Sequence, residues 1–209
     1  DYSFDNNTMT FSEIPQSRVA ASGYDEDIMY FNLTSSYSSN YVQPSFKHAL
    51  SWISVILVKS ADTPDAATIK ANSVEFTGVY PIGTGTVAGA NDITWETAGT
   101  AASVDVLEGN AATLAKNNEE VVAYQPLFIP QNMNGNLVVE YEISSADGSS
   151  FTEVKTIALN EMKDSDGNAL DAWEPAKHYT YTITIGTSEI LIEPSVMPWT
   201  EVSVPVEVK

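Results

Sequence analysis

Residues 46–58 read FKHALSWISVILV, the most apolar stretch of the chain. Taken as an extended strand, Phe46, His48, Leu50, Trp52, Ser54, Ile56 and Val58 fall on one face. Lys47, Ala49, Ser51, Ile53, Val55 and Leu57 fall on the other. Both faces turn apolar toward the end, as in a central strand covered on both sides. A helix competes for the first half. The β-branched second half and the Ser-Ala-Asp-Thr-Pro turn that follows at 60–64 favour a strand.

Outward from this stretch, apolar and polar residues alternate in short runs, and helical periodicity is almost absent. Upstream, residues 1–45 are rich in Ser, Asn, Tyr and Asp, with strands expected at 9–14 and 28–33 and a loop at 35–40 (SSYSSN). Downstream, strands are expected at 69–80, 93–96, 101–107, 127–129, 137–144, 153–159, 179–185, 189–193 and 202–208. Turn-like connections separate them at 81–85 (PIGTG), 89–92 (GAND), 132–136 (NMNGN), 146–149 (ADGS) and 164–168 (DSDGN). Residues 110–120 read as a short helix or a linker, with a soft domain boundary nearby. Many short, punctuated strands predict an all-β fold, an antiparallel β-sandwich.

The chain has 209 residues, enough for one large sandwich or two small ones. Its 28 acidic and 9 basic residues leave a net charge of −19. No Lys/Arg cluster is present, so nucleic acid is not an expected partner. The absence of cysteine removes disulfides, thiolate metal sites and cysteine nucleophiles. No apolar run reaches the ~18–20 residues of a membrane helix. The chain opens at Asp1 without a Met, and the expectation is that a leader has been removed.

Catalysis finds little support, and neither a cofactor nor a metal is expected. There are two histidines: His48, expected to be packed within a strand, and His178, near the start of another. No Gly-x-Ser-x-Gly or His-Glu-x-x-His occurs, and acid pairs such as Glu119–Glu120 read as solvated surface. Asp164, Asp166, Asn168 and Asp171 place oxygens at intervals that suit Ca²⁺. Their spacing departs from the calcium loop, so a plain turn with Gly167 left-handed is expected. Gly83, Gly85 and Gly89 lack the following helix and lysine of a phosphate loop and read as a flexible hairpin. Trp95, Trp173 and Trp199 sit beside strands and read as packing rather than sugar-stacking residues. Tyr24, Tyr30, Tyr37 and Tyr41 form either a sticky patch or sheet packing. At the C-terminus, EVSVPVEVK puts Val202, Val204, Val206 and Val208 at alternate positions. This apolar face is either the last strand of its own sandwich or a donor strand that completes a neighbour. Pro205 suits an edge position in both cases.

Several segments resemble one family in order and spacing: Phe46-Lys47-His48-Ala49-Leu50-Ser51, then Leu127-Phe128-Ile129-Pro130-Gln131. Next come Trp173-Glu174-Pro175-Ala176-Lys177-His178-Tyr179-Thr180-Tyr181, and finally Ile185-Gly186 through Pro198-Trp199. Over roughly residues 46–199 they are similar to the fimbrillin-like proteins, with Ala176 where that family usually carries Gly. The resemblance implies a non-enzymatic structural or adhesive subunit of cell-surface fimbriae (a type V-like pilus) on the outer membrane of Bacteroidetes-type bacteria. It implies two transthyretin-like domains, here 1–118 (shortened relative to full-length members) and 119–209, and export as a lipoprotein precursor. It also implies removal of a leading strand by an arginine- or lysine-specific protease, with Arg18 the candidate processing site, and donor-strand exchange with other fimbrial subunits. The alternative is a monomeric surface lipoprotein of the same fold that binds a host protein or glycan.

Overall fold

The computed structural model describes residues 2–5, 7–15, 17–19, 27–31, 41–42, 44–89, 91–107, 109–123, 125–164, 166–187, 190–199, 202–203 and 206–207. Its body is two sheets packed face to face. The six-stranded sheet runs Ile190–Pro198, Lys177–Ile185, Ser51–Lys59, Gln125–Phe128 and Ser17–Val19, with Glu120–Val122 also on Ser51–Lys59. The five-stranded sheet runs Ala102–Asp105, Thr68–Val79, Asn136–Ser144 and Ser150–Ala158, with Ala112–Leu114 also on Thr68–Val79. Period-2 alternation sends Ile53, Val55, Leu57, Tyr179, Tyr181 and Ile183 inward from the first sheet. Ile69, Val74, Phe76, Leu137, Val139 and Tyr141 meet them from the second, all in one cluster. The fold is thus an all-β sandwich. Its pairing departs from purely antiparallel where Lys177–Ile185 lies parallel to Ser51–Lys59, and at a single parallel bridge between Lys59 and Asn117.

The apolar stretch is central, as expected, but it is not one strand. It breaks at Ala49 and Leu50 into Ser45–His48 and Ser51–Lys59, which join different sheets. Both break residues are fully buried, Ala49 N–H donates to Ile28 O at 2.7 Å, and Leu50 O accepts from Ala176 N–H at 3.1 Å. These bonds replace ladder partners that a continuous strand would have had. Residues 110–120 hold no helix; Ala112–Leu114 is a strand there, and the regular helix described is one 3-10 turn, Leu159–Glu161. Both large sheets draw strands from either side of residue 118, so the expected division crosses shared ladders.

A third sheet of four strands, Tyr2–Asp5, Thr8–Pro15, Ile82–Ala88 and Thr94–Ala98, sits beside this body. Two small clusters fasten it. Met9, Phe11, Ile28 and Trp95 pack on Tyr30, Ala49, Val87 and Ile93. Ile14, Trp52, Trp95 and Trp199 pack on Leu50, Leu127 and Ile129. The expected PIGTG hairpin is in fact part of the Ile82–Ala88 strand. Its glycines are used for close approach: a Cβ on Gly85 would meet Ile93 Cδ1 at 2.8 Å and Trp95 Cζ2 at 2.9 Å, and one on Gly83 would meet Ile129 Cγ2 at 2.7 Å. Trp95 fills that space and donates its indole N–H to Ala49 O at 2.8 Å.

Candidate functional site

The last described strands return to the segment just before the break at Ala49–Leu50. Ser45–His48 pairs with Met29–Tyr30 on one side and with Val202–Ser203 on the other. Further along, Val206–Glu207 pairs with Tyr41–Val42. Val202 therefore opposes Phe46 and Val206 opposes Val42. Val204 and Val208 lie outside the described residues, as do Tyr24 and Tyr37.

Four aromatic rings anchor this seam. His48 stacks on Trp199 with centroids 3.5 Å apart and planes 3° apart; His178 stacks on Trp52 at 3.9 Å and 9°. Trp52 and Trp199 touch at 5.6 Å. Both histidines of the chain thus belong to one ladder. His48 is 8% exposed, and its Nδ1–H donates to Asp27 Oδ2 at 2.7 Å. Burial raises the Asp27 carboxyl above the usual carboxylate range, and His48 opposes that rise. Trp199 N–H donates to Ala176 O at 2.8 Å, so the turn of the WEPAKHYTY segment holds the backbone from which the C-terminal segment departs.

Ser54 Oγ lies 2.8 Å from His178 Nε2. This pair is not a nucleophile and base in an accessible site, because Ser54 is 3% exposed and His178 is covered by Trp52. Burial pushes the His178 imidazole down from its ordinary range. Deeper in the core, Trp173 Nε1–H donates to Tyr181 Oη at 2.9 Å, and the Tyr179 hydroxyl donates to Ala172 O at 3.1 Å. Burial raises both phenols, Tyr179 to about 12. Trp173 is a core residue, as expected, while Trp95 and Trp199 are half-buried packing residues.

The acidic turn is closed by its own chain. The Asp164 carboxylate accepts the N–H groups of Asp166 and Asn168 at 3.0 and 2.8 Å, and Asn168 Nδ2–H at 3.0 Å. Those bonds hold its carboxyl below the usual range, and Gly167 sits at φ 84°. Among the described residues no group of three or more His, Cys, Asp or Glu side chains is gathered as a metal would require.

Arg18 lies in Ser17–Val19, a short edge strand paired with Gln125–Leu127. Immediately upstream, Thr8–Pro15 lies between Tyr2–Asp5 and Ile82–Ala88 and sends Met9, Phe11 and Ile14 into the two small clusters. One edge of each large sheet is blunted. Ser150–Ala158 carries Glu153 and Lys155, ion-paired at 2.7 Å, and Glu153 also accepts from the core phenol Tyr141 at 2.9 Å. Ile190–Pro198 carries Pro194 and Pro198, which offer no N–H. Sequence reasoning missed the Ile82–Ala88 strand and the Asp27–His48 pair. Gly83 and Gly85, spaced by two within an alternating Thr/Ile/Val run, were the available signal for the former.

A model of the fimbrillin-like family matches residues 2–199. Similar solved structures include a proposed cell adhesion protein from Bacteroides uniformis (19% identity, TM-score 0.45, 74% of this chain and 52% of that one). A fimbrial protein from Bacteroides vulgatus shows 22% identity and a TM-score of 0.40, covering 74% and 56%. The tip fimbrial protein Mfa3 from Porphyromonas gingivalis, with C-terminal truncation, shows 11% identity and a TM-score of 0.39, covering 74% and 52%. The chain spans about half the length of these solved proteins. No curated protein matches it in sequence.

Proposed function

The chain belongs to the fimbrillin-like family, a family of structural rather than enzymatic proteins, and we propose that it is an adhesive subunit of cell-surface fimbriae that assembles by donor-strand exchange. The observation that carries this reading is the placement of Thr8–Pro15. It is a mid-sheet strand upstream of Arg18, with three apolar residues in the small clusters. Cleavage at Arg18 and loss of the leading segment would expose the flank of Ile82–Ala88 and the Met9, Phe11 and Ile14 sites together. A segment with Val202, Val204, Val206 and Val208 at alternate positions has the pattern to refill that row. Burying four valines contributes about 6–8 kcal/mol before ordering costs. The blunted edges at Ser150–Ala158 and Ile190–Pro198 support exchange at this seam rather than at those two strands. Export as a lipoprotein precursor to the outer membrane, transthyretin-like sandwiches and partnership with other fimbrial subunits follow from the same family reading.

A second reading has its own support. Val202–Ser203 and Val206–Glu207 pair with strands of their own chain. That arrangement suits an anchor or tip form, or a monomeric surface lipoprotein that binds a host protein or glycan. Cutting the chain with an arginine-specific protease and running it unheated in SDS separates the two. Stalk behaviour gives resistant multimers that disappear when residues 202–209 are deleted. A deletion variant that still polymerises would remove the donor role from Val202, Val204, Val206 and Val208. Glycan or host-protein binding by a monomer that never polymerises would favour the second reading.

A further inference from the structure

Thr8–Pro15 does not pair evenly with Ile82–Ala88. Thr8, Met9, Thr10 and Phe11 oppose Ala88, Val87, Thr86 and Gly85 in register; then the register shifts, and Ile14 opposes Gly83. Ser12 and Glu13 together thus stand opposite Thr84, which is a β-bulge. Within it Glu13 adopts φ 54° and is exposed. A left-handed bulge residue is normally glycine, because a Cβ there crowds the following carbonyl. No glycine stands between Thr8 and Pro15, and Pro15 contributes no N–H at the end of the strand. In the segment 201–209 the apolar residues alternate without interruption from Val202 to Val208, with one proline, Pro205, at a position of the opposite face.

We infer that Thr8–Pro15 is a strained placeholder, whose bulge at Ser12–Glu13 lets it leave Ile82–Ala88 more readily than an unbroken strand would. The inference deepens the exchange reading and rests on it for its biological meaning. The strain itself is read from this strand's own backbone and pairing, independently of exchange. A leading strand that fits imperfectly keeps the subunit folded and soluble, yet concedes its place once the covalent link at Arg18 is cut. Removal of Glu13 restores alternation: Ser12 then opposes Thr84, and Phe11 and Ile14 still face Gly85 and Gly83. Glu13→Gly keeps the bulge and removes the crowding.

The test uses the full chain. It has no cysteine, so Ser3→Cys, on an exposed position of the leading segment, gives a single dye site. Arg18 is the single arginine, so an arginine-specific protease makes one nick. Anisotropy after dilution then reads release of the labelled 1–18 fragment, alone and with excess peptide EVSVPVEVK. Relief of a left-handed non-glycine residue, less the greater freedom of glycine in the released fragment, corresponds to about two- to fivefold slower release for Glu13→Gly, with the Glu13 deletion at least as slow. Equal release from all three proteins, or no release from any, overturns the inference. Should the deletion variant not fold, Glu13→Gly against the parent still decides. If the variants differ as expected but the peptide does not block rebinding of the fragment, the placeholder stands and the donor role of 202–209 falls.

Discussion

Replacing Ala176 by glycine should make this protein more stable. Ala176 follows Pro175 in the turn that leads into Lys177–Ile185, and its φ is 56°. Proline followed by a residue at positive φ is the signature of a type II turn, whose third position favours glycine. An L-residue in that region costs about 1–2 kcal/mol. Glycine gives part of this back through the greater freedom of the unfolded chain, about 0.5–1 kcal/mol. The Ala176 methyl is only half-buried, so little packing is lost. The net gain expected is about 0.5–1 kcal/mol, which for a chain of this size raises Tm by about 1–4 °C and the urea midpoint by about 0.2–0.5 M. Both main-chain bonds of the turn, Ala176 N–H to Leu50 O and Trp199 N–H to Ala176 O, survive the change. Urea unfolding followed by far-UV circular dichroism measures it. An unchanged or lowered midpoint at constant m would refute the reasoning, because the left-handed conformation would then carry no cost.

Gly135→Ala should be severely destabilising, by more than about 3 kcal/mol, since the new Cβ would collide with the Thr77 carbonyl oxygen, a backbone atom; soluble yield and Tm report it. Trp199→Ala removes the ring stacked on His48 and should cost about 2 kcal/mol, read from thermal unfolding. His178 is held neutral by burial, so between the folded and ordinary values the unfolded chain binds more protons. Its contribution is therefore complete above the ordinary histidine range and is lost as pH falls through the lower folded value. Urea midpoints at pH 7.5 and 5.5 should fall less steeply for His178→Gln than for the parent. The Asp164 carboxyl is depressed, so its share of stability is present above the usual carboxylate range and lost as pH falls below it; Asp164→Ala should lower Tm at pH 7 and leave it nearly unchanged near pH 2.

Alternation was enough to place most of the sandwich. Residues 137–144 and 179–185 read as strands because one face of each is continuously apolar, and they lie in Asn136–Ser144 and Lys177–Ile185; residues 69–80 fall on Thr68–Val79 to within one residue, their apolar face switching from Ile69 and Ala71 to Val74 and Phe76 where the register shifts. Where side chains stop carrying the pattern, the reading fails. Ile82–Ala88 hides its inward face in two glycines whose space Trp95, Ile93 and Ile129 occupy from elsewhere. The break at Ala49–Leu50 is invisible because both residues are apolar and buried on either side of it. Lys59 lies beyond any local rule: it is wholly buried and donates to the carbonyls of Ala67 at 2.6 Å and Pro64 at 3.3 Å, partners set by the loop that joins the two large sheets. The aromatic seam was half legible. His48 and Trp199 each read as packed, and the quoted motifs placed them in order. Nothing local said that they stack on each other, because that contact depends on strands far apart in sequence.

The parallel pairing of Ser51–Lys59 with Lys177–Ile185 has a consequence for the order in which the chain can fold. Ser54 and His178 meet across 124 residues. The central strand therefore has one flank empty until residues 177–185 are available. Topologies of this kind fold slowly, since the loop must close before its contacts repay it. The five-stranded sheet, built from residues 68–158, needs no such late partner, so the two large sheets would be completed at different times as the chain is made. Late arrival of Lys177–Ile185 would thus close the core between the sheets last, with Tyr179, Tyr181 and Ile183 covering side chains already in place.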